Sequence, residues 1–299
     1  MSRISLTILL LAAAPLNAWS QAGAIKILSV VNAASFQPGM PSGGALATVF
    51  VSGLSLFPPN AGTFVAPPGA PLPYTLDDVQ VFVNGALAPI LAVVALAPGY
   101  LVPPQQINFQ VPMERNSTAG SYPDTGTLSI VQHMALSSDT YTPLPQEGLG
   151  GFFSDANGYA IAQHASDFTP VTVQNPAHPG EAIVVYADDF FQTWPPPPIA
   201  IPTPAQPLFT SAPIGYERYF AGGLYLQQYP QPDIHGFRVA NTPPLQVGFA
   251  GLAPGQIGVE QINLVVPANQ APGDWPLFYS NANPVHGGNT SPYVLLPVR

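Results

Sequence analysis

Gln106-Ile-Asn-Phe-Gln-Val-Pro112 (QINFQVP) is matched by Gln261-Ile-Asn-Leu-Val-Val-Pro267 (QINLVVP), and this pair of stretches decides how the chain folds. In the first copy Ile107, Phe109 and Val111 alternate with Asn108 and Gln110, the two-residue period of a strand with one face turned inward, and a proline ends it. Leu-Ala-Pro-Gly stands upstream of each copy, at Leu96 to Gly99 and at Leu252 to Gly255. The offset is constant from Val81/Phe237 to Gly99/Gly255, after which one residue is lost. Self-similarity over so long a period marks repeated modules. The expectation is an all-β chain of two structural units related by internal duplication.

Further outward, Ala45 to Val51 (ALATVFV) reads as a buried strand, and Glu181 to Tyr186 (EAIVVY) matches its Ala45 to Phe50, each preceded by a Pro/Gly-rich turn. Val79 to Val83 alternates valines and leads into Asn84-Gly85, the strongest short hairpin signal, so Ala88 to Val94 is the expected return strand. Thr127 to Gln132 supplies a last strand for the first unit. Leu144 to Val173 reads as a connector packed on the second unit, with a turn at Asp155-Ala-Asn157-Gly158 and a short strand from Tyr159 to Gln163. Phe237 to Val239, Leu245 to Phe249, Trp275 to Tyr279 and Val294 to Val298 complete the second unit. With 39 prolines and 27 glycines against 47% hydrophobic residues, the chain reads as many short strands joined by turns. Helical periodicity is missing after the first segment.

That first segment has a basic residue at Arg3, an apolar run from Ile4 to Ala14 and small residues at Ala18, Ser20 and Ala22, the pattern of a secretory signal peptide over residues 1–22. The run is shorter than the roughly 20 apolar residues a bilayer requires, and no later stretch is longer, so the mature chain has no expected transmembrane segment. The remainder divides into a first sandwich over residues 23–143 and a connector plus second sandwich over residues 144–299. The expected address is exported: periplasmic, cell-surface or extracellular. The sequence has no cysteine, which excludes disulfides, thiolate nucleophiles and thiolate-bound zinc. Only 7% of residues are charged, and with Arg3 removed 15 acidic residues face five basic ones. Such a balance argues against nucleic acid as a partner.

Six stretches together resemble the Solibacter-type uncharacterised C-terminal domain family of exported acidobacterial proteins. They are VVNAASFQPG (Val30 to Gly39), PLPYTLDDVQVFVNGALAP (Pro71 to Pro89), QINFQVP, NPAHPGEAIVVYA (Asn175 to Ala187), FAGLAPG (Phe249 to Gly255) and QINLVVP. The resemblance implies a tandem pair of immunoglobulin-like β-sandwich domains and carries no catalytic or binding residues with it. Two departures stand out. Asp188-Asp189 occupies a place where such proteins usually have Thr-Gly, and Gly215 to Pro232 (GYERYFAGGLYLQQYPQP) is an aromatic insertion.

Chemistry is sparse. There is no G-x-S-x-G, no H-E-x-x-H and no paired histidine spacing, so neither a catalytic residue nor a metal ligand nor a cofactor site is assigned. His133, His164, His178, His235 and His286 read as exposed or turn histidines. Asp188-Asp189 reads as a solvated turn, since paired carboxylates could hold calcium but no third ligand is placed. The candidate partner-binding residues are Trp194, Tyr216, Tyr219, Tyr225 and Tyr229, whose rings combine an apolar face with a polar tip. The expected function is a non-catalytic exported module that binds an extracellular protein or glycan. The alternative is an exported polysaccharide-directed hydrolase using carboxylates such as Asp188, Asp189 or Glu217.

Overall fold

The computed structural model describes residues 25–54, 62–95, 105–113, 127–132, 136–138, 140–142, 150–191, 193–211, 223–228, 244–280 and 290–299. The expected signal peptide over residues 1–22 and the expected strand Phe237 to Val239 lie outside the described residues. The N-terminal half contains β1 (Lys26–Asn32), β2 (Leu46–Ser52), β3 (Gly62–Val65), β4 (Val79–Val83), β5 (Ala86–Ala88), β6 (Ile90–Ala95), β7 (Gln105–Gln110), β8 (Leu128–Gln132) and β9 (Leu136–Ser137). The C-terminal half begins with β10 (Gly151–Phe152), β11 (Ala162–His164), β12 (Ala182–Asp188), β13 (Thr193–Trp194), β14 (Thr210–Ser211) and β15 (Gly223–Leu226). It ends with β16 (Val247–Leu252), β17 (Glu260–Val265), β18 (Gly273–Ser280) and β19 (Val294–Val298). Every described element is a strand, and among the described residues no helix is long and apolar enough to cross a membrane.

Four antiparallel sheets result. In the N-terminal half the order is β1-β2-β7-β6-β3 in one sheet and β5-β4-β8-β9 in the other. In the C-terminal half it is β10-β12-β17-β16-β14-β13, with β11 also on β12, and β15-β18-β19. Each half closes around its own apolar cluster. Val49, Val51, Ile107 and Phe109 meet Val79, Val81, Leu128 and Ile130 from the opposite sheet, while Ile183, Val185, Ile262 and Leu264 meet Leu224, Leu277, Leu296 and Val298. The arrangement is sandwich-like, with inward residues supplied by the two-residue period of each strand.

The two QIN strands hold the same place in their sheets. β7 lies between β2 and β6, with Phe50 opposite Gln106 and Thr48 opposite Asn108. β17 lies between β12 and β16, with Tyr186 opposite Gln261 and Val184 opposite Asn263. On their outward faces the Gln106 amide donates to Asn108 Oδ1 at 2.7 Å, and the Gln261 amide donates to Asn263 Oδ1 at 2.8 Å.

One expectation needs correction. The single return strand after Asn84-Gly85 is split at Pro89: β5 pairs with β4, whereas β6 pairs with β7 in the opposite sheet. A proline has no N–H to give a ladder, so the chain changes sheets there while the Pro89 carbonyl accepts from Gln110 N at 2.9 Å. The connector packs on the C-terminal half by strand pairing, β10 and β11 both joining β12 at an edge of the large sheet. Its Asp155 turn forms as expected, with Asp155 Oδ1 accepting from Asn157 N at 2.8 Å and Tyr159 N at 2.9 Å.

The halves are joined by a third cluster in which Ala66, Leu72 and Leu91 pack with Ile199, Ala200 and Ile257. Gln110 reinforces it: its amide nitrogen donates to Gly44 O at 2.9 Å and Pro198 O at 3.0 Å, and its Oε1 accepts from Ala200 N at 2.8 Å. Buried and triply bonded, that side chain explains why an amide interrupts the otherwise apolar end of β7.

Candidate functional site

Trp194 sits on β13, the last strand of the large C-terminal sheet, and is 67% exposed. Thr193 beside it is buried, and across the hairpin Trp194 faces exposed Thr210 while Phe209 turns inward, so alternation alone presents the indole to solvent. Tyr225 behaves differently. It lies on β15 opposite Phe278, the two rings stacked at 5.7 Å with 24° between their planes, and burial raises its hydroxyl pKa. Trp194 and Tyr225 belong to different sheets and are not brought together through strand pairing. Tyr216, Tyr219, Tyr229 and Glu217 lie outside the described residues.

The solvated-turn reading of Asp188-Asp189 is overturned. Asp188 ends β12 with no exposure; its Oδ2 accepts from the Asn32 amide at 3.0 Å and its Oδ1 from Leu46 N at 3.0 Å. Asp189 Oδ2 accepts from Ser42 N at 3.2 Å. Asn32, Ser42 and Leu46 belong to the N-terminal half, so the two aspartates bind one half to the other. Glu260, also buried, accepts from Phe190 N at 2.9 Å and Phe191 N at 3.0 Å.

The two halves share local geometry here. Gln105 precedes the first QIN as Glu260 precedes the second, and it clamps Leu54 in the same way, accepting from Leu54 N at 2.8 Å and donating to Leu54 O at 2.9 Å. Gly53 has φ 91° and Asp189, at the corresponding position, has φ 62°. The second half therefore places carboxylates where the first has Ser52, Gly53 and Gln105.

Their electrostatics follow from burial. Desolvation pushes Asp189 up to about 6 and Glu260 up to about 8, the backbone donors opposing the shift in both. Asp188 is raised well above the usual carboxylate range, first by desolvation and then by the neighbouring Asp189. General acid–base work needs a group within reach of its substrate, and these oxygens face backbone and amide donors inside a seam. Donors also fill the positions a cation would take, and the described residues contain no cluster of three or more ligating side chains.

His164 is a second correction, since it is buried rather than exposed. Its Nδ1 contacts Glu181 Oε1 and its Nε2 lies 3.3 Å from Asn175 O. Glu181 Oε2 accepts from His178 N at 2.8 Å, and His178 Nδ1 contacts Arg299 O at 2.9 Å. The result ties β11 to the loop before β12 and to the last residue of the chain. His133, His235 and His286 lie outside the described residues.

One set of outward residues was missed by sequence reasoning: Gln163, Tyr186, Gln261 and Asn263. Tyr186 donates its hydroxyl to Gln163 Oε1 at 2.8 Å, on the same sheet face as the Gln261–Asn263 amide pair. The available signal was the recurrence of Gln and Asn, not only of the inward Ile, in both QIN copies.

The chain matches no protein-family model and no curated protein. The site has to be read from its own chemistry.

Proposed function

We propose that this chain is an exported, non-catalytic pair of immunoglobulin-like sandwiches, related by duplication, that binds an extracellular protein or glycan. The domain limits of this reading are residues 23–143 and 144–299, and its family is the Solibacter-type group of exported proteins. The matching neighbours of β7 and β17 support the duplication. The observation that carries the binding role is Trp194, a large ring left 67% exposed on a sheet edge. With few charges on the chain, long-range steering is weak, and a partner is held by short-range contacts to such faces.

Two measurements test the reading. N-terminal sequencing of the exported product should give a first residue of Gln21 or Gly23, whereas an intact Met1 on a membrane-bound form contradicts export by cleavage. Trp194→Ala should weaken binding to a partner found on a panel of extracellular polysaccharides and surface proteins about tenfold, while stability stays within about 0.5 kcal/mol of the parent. Unchanged binding with a large stability loss would reduce Trp194 to packing.

A further inference from the structure

We propose that the outward face of the large C-terminal sheet binds a neutral, hydroxyl-rich glycan chain along Gln163, Tyr186, Gln261 and Asn263; this rests on the interaction-module reading and names its ligand class. The four side chains share one face because Tyr186 lies opposite Gln261, while Val184 lies opposite both Gln163 and Asn263. All four are half-buried. Each is anchored on one side by an internal bond, which leaves Gln261 Oε1, Asn263 Nδ2 and Gln163 Nε2 without a protein partner among the described residues.

An anchored amide loses little rotamer freedom on binding, so its outward donor or acceptor is already oriented. A sugar hydroxyl both donates and accepts, which lets adjacent hydroxyls meet the Gln261 carbonyl and the Asn263 amide together. The Tyr186 ring adds an apolar face for the C–H side of a pyranose. None of the four is ionised, so nothing in the row selects a charged ligand. The face is mixed: Phe249 on β16 lies opposite Asn263 and the buried Val184 lies between Asn263 and Gln163, so the rings of Tyr186 and Phe249 are interspersed with amides, matching the C–H faces and hydroxyls of a sugar chain.

The face also has length and an end. From β11 across β12 and β17 to β16 is three strand spacings, about 14 Å, enough for a short oligosaccharide. At Gly251, opposite Gln261, a Cβ would lie 2.1 Å from Phe209 O, so the backbone entering β14 stands against this face as a wall. Beyond it the pairing runs from Gly251 to Thr210 to Trp194, which places the exposed indole in line with the amides. The N-terminal sheet repeats the Gln106–Asn108 pair with Phe50 in place of Tyr186, and there the Thr48 hydroxyl also donates to Asn108 Oδ1 at 3.0 Å. That sheet is a built-in comparator.

The test is affinity electrophoresis of the full exported chain in gels containing a neutral β-glucan, xylan, mannan or α-glucan, with alginate as the acidic comparator. Retardation by at least one neutral polymer is expected, weakened about tenfold by the double variant Gln261→Ala/Asn263→Ala and by Tyr186→Ala. Gln106→Ala/Asn108→Ala should leave it unchanged, and all variants should keep the parent's melting temperature within a few degrees. Retention lost equally in both amide pairs would show a general structural role and overturn the proposal. So would loss in Trp194→Ala alone, or binding confined to alginate or to a surface protein; the interaction-module reading survives each of those last outcomes. No binding to any polymer or surface protein would sink both.

Discussion

Asp188→Ala should destabilise the protein by about 3–5 kcal/mol, because the substitution leaves the Asn32 amide and the Leu46 N–H buried without their acceptor. The loss is expected at acidic as well as neutral pH, since the two donors need an acceptor whichever protonation state Asp188 holds. Urea unfolding of the parent and variant measures it. Ser52→Ala, at the corresponding position of the first half, should cost no more than about 0.5 kcal/mol, as a half-buried residue outside the seam. Equal effects at the two positions would mean that the seam contributes little and that the halves are held by the third apolar cluster alone.

The second large effect is on pH. Asp189 rises from 3.8 to about 6 and Glu260 from 4.5 to about 8 in the folded state, so between these values the folded protein binds more protons than the unfolded chain. Stability is therefore fully present below about pH 4 for these groups and is lost as pH rises through 6 and then 8. At 1.36 kcal/mol per unit, the shifts correspond to on the order of 3 kcal/mol for Asp189 and 5 kcal/mol for Glu260. Melting temperature should fall from pH 4.5 to pH 9. Asp189→Asn and Glu260→Gln should flatten that slope, even though Gln at 260 gives up one of the two accepted backbone bonds. A melting temperature that climbs over the same range would show that the backbone donors outweigh desolvation.

The strands were legible because each rests on local pattern. Ile107 and Phe109 on one face, a proline at the end and a close copy 155 residues later define two strands, and β7 and β17 pair accordingly. The carboxylate seam was not legible, because what decides whether Asp188 is solvated or buried lies 142 and 156 residues away, at Leu46 and Asn32. Two adjacent acids have the same local signature in either case. His164 was misread for the same reason: Glu181 reaches it only because β11 folds back on β12, and nothing in the spacing of the two residues says so. The amide face was half legible, since Gln and Asn recur in both copies, but Tyr186 and Gln163 join them only through sheet order. Of the aromatic candidates, Trp194 owes its exposure to strand alternation and Tyr225 its cover to Phe278 across the ladder.

The asymmetry of the seam fixes the order of the two halves. In this pair the trailing unit supplies the acids and the leading unit the receptors. For a further copy to dock ahead of it in the same way, the leading unit would have to offer acids of its own, yet Ser52 and Gly53 stand where Asp188 and Asp189 do in its successor. The contact does not propagate. The two halves are therefore not interchangeable: in the reverse order the Asn32 amide and the Ser42 and Leu46 N–H groups would face Ser52 and Gly53, with no carboxylate to accept from them.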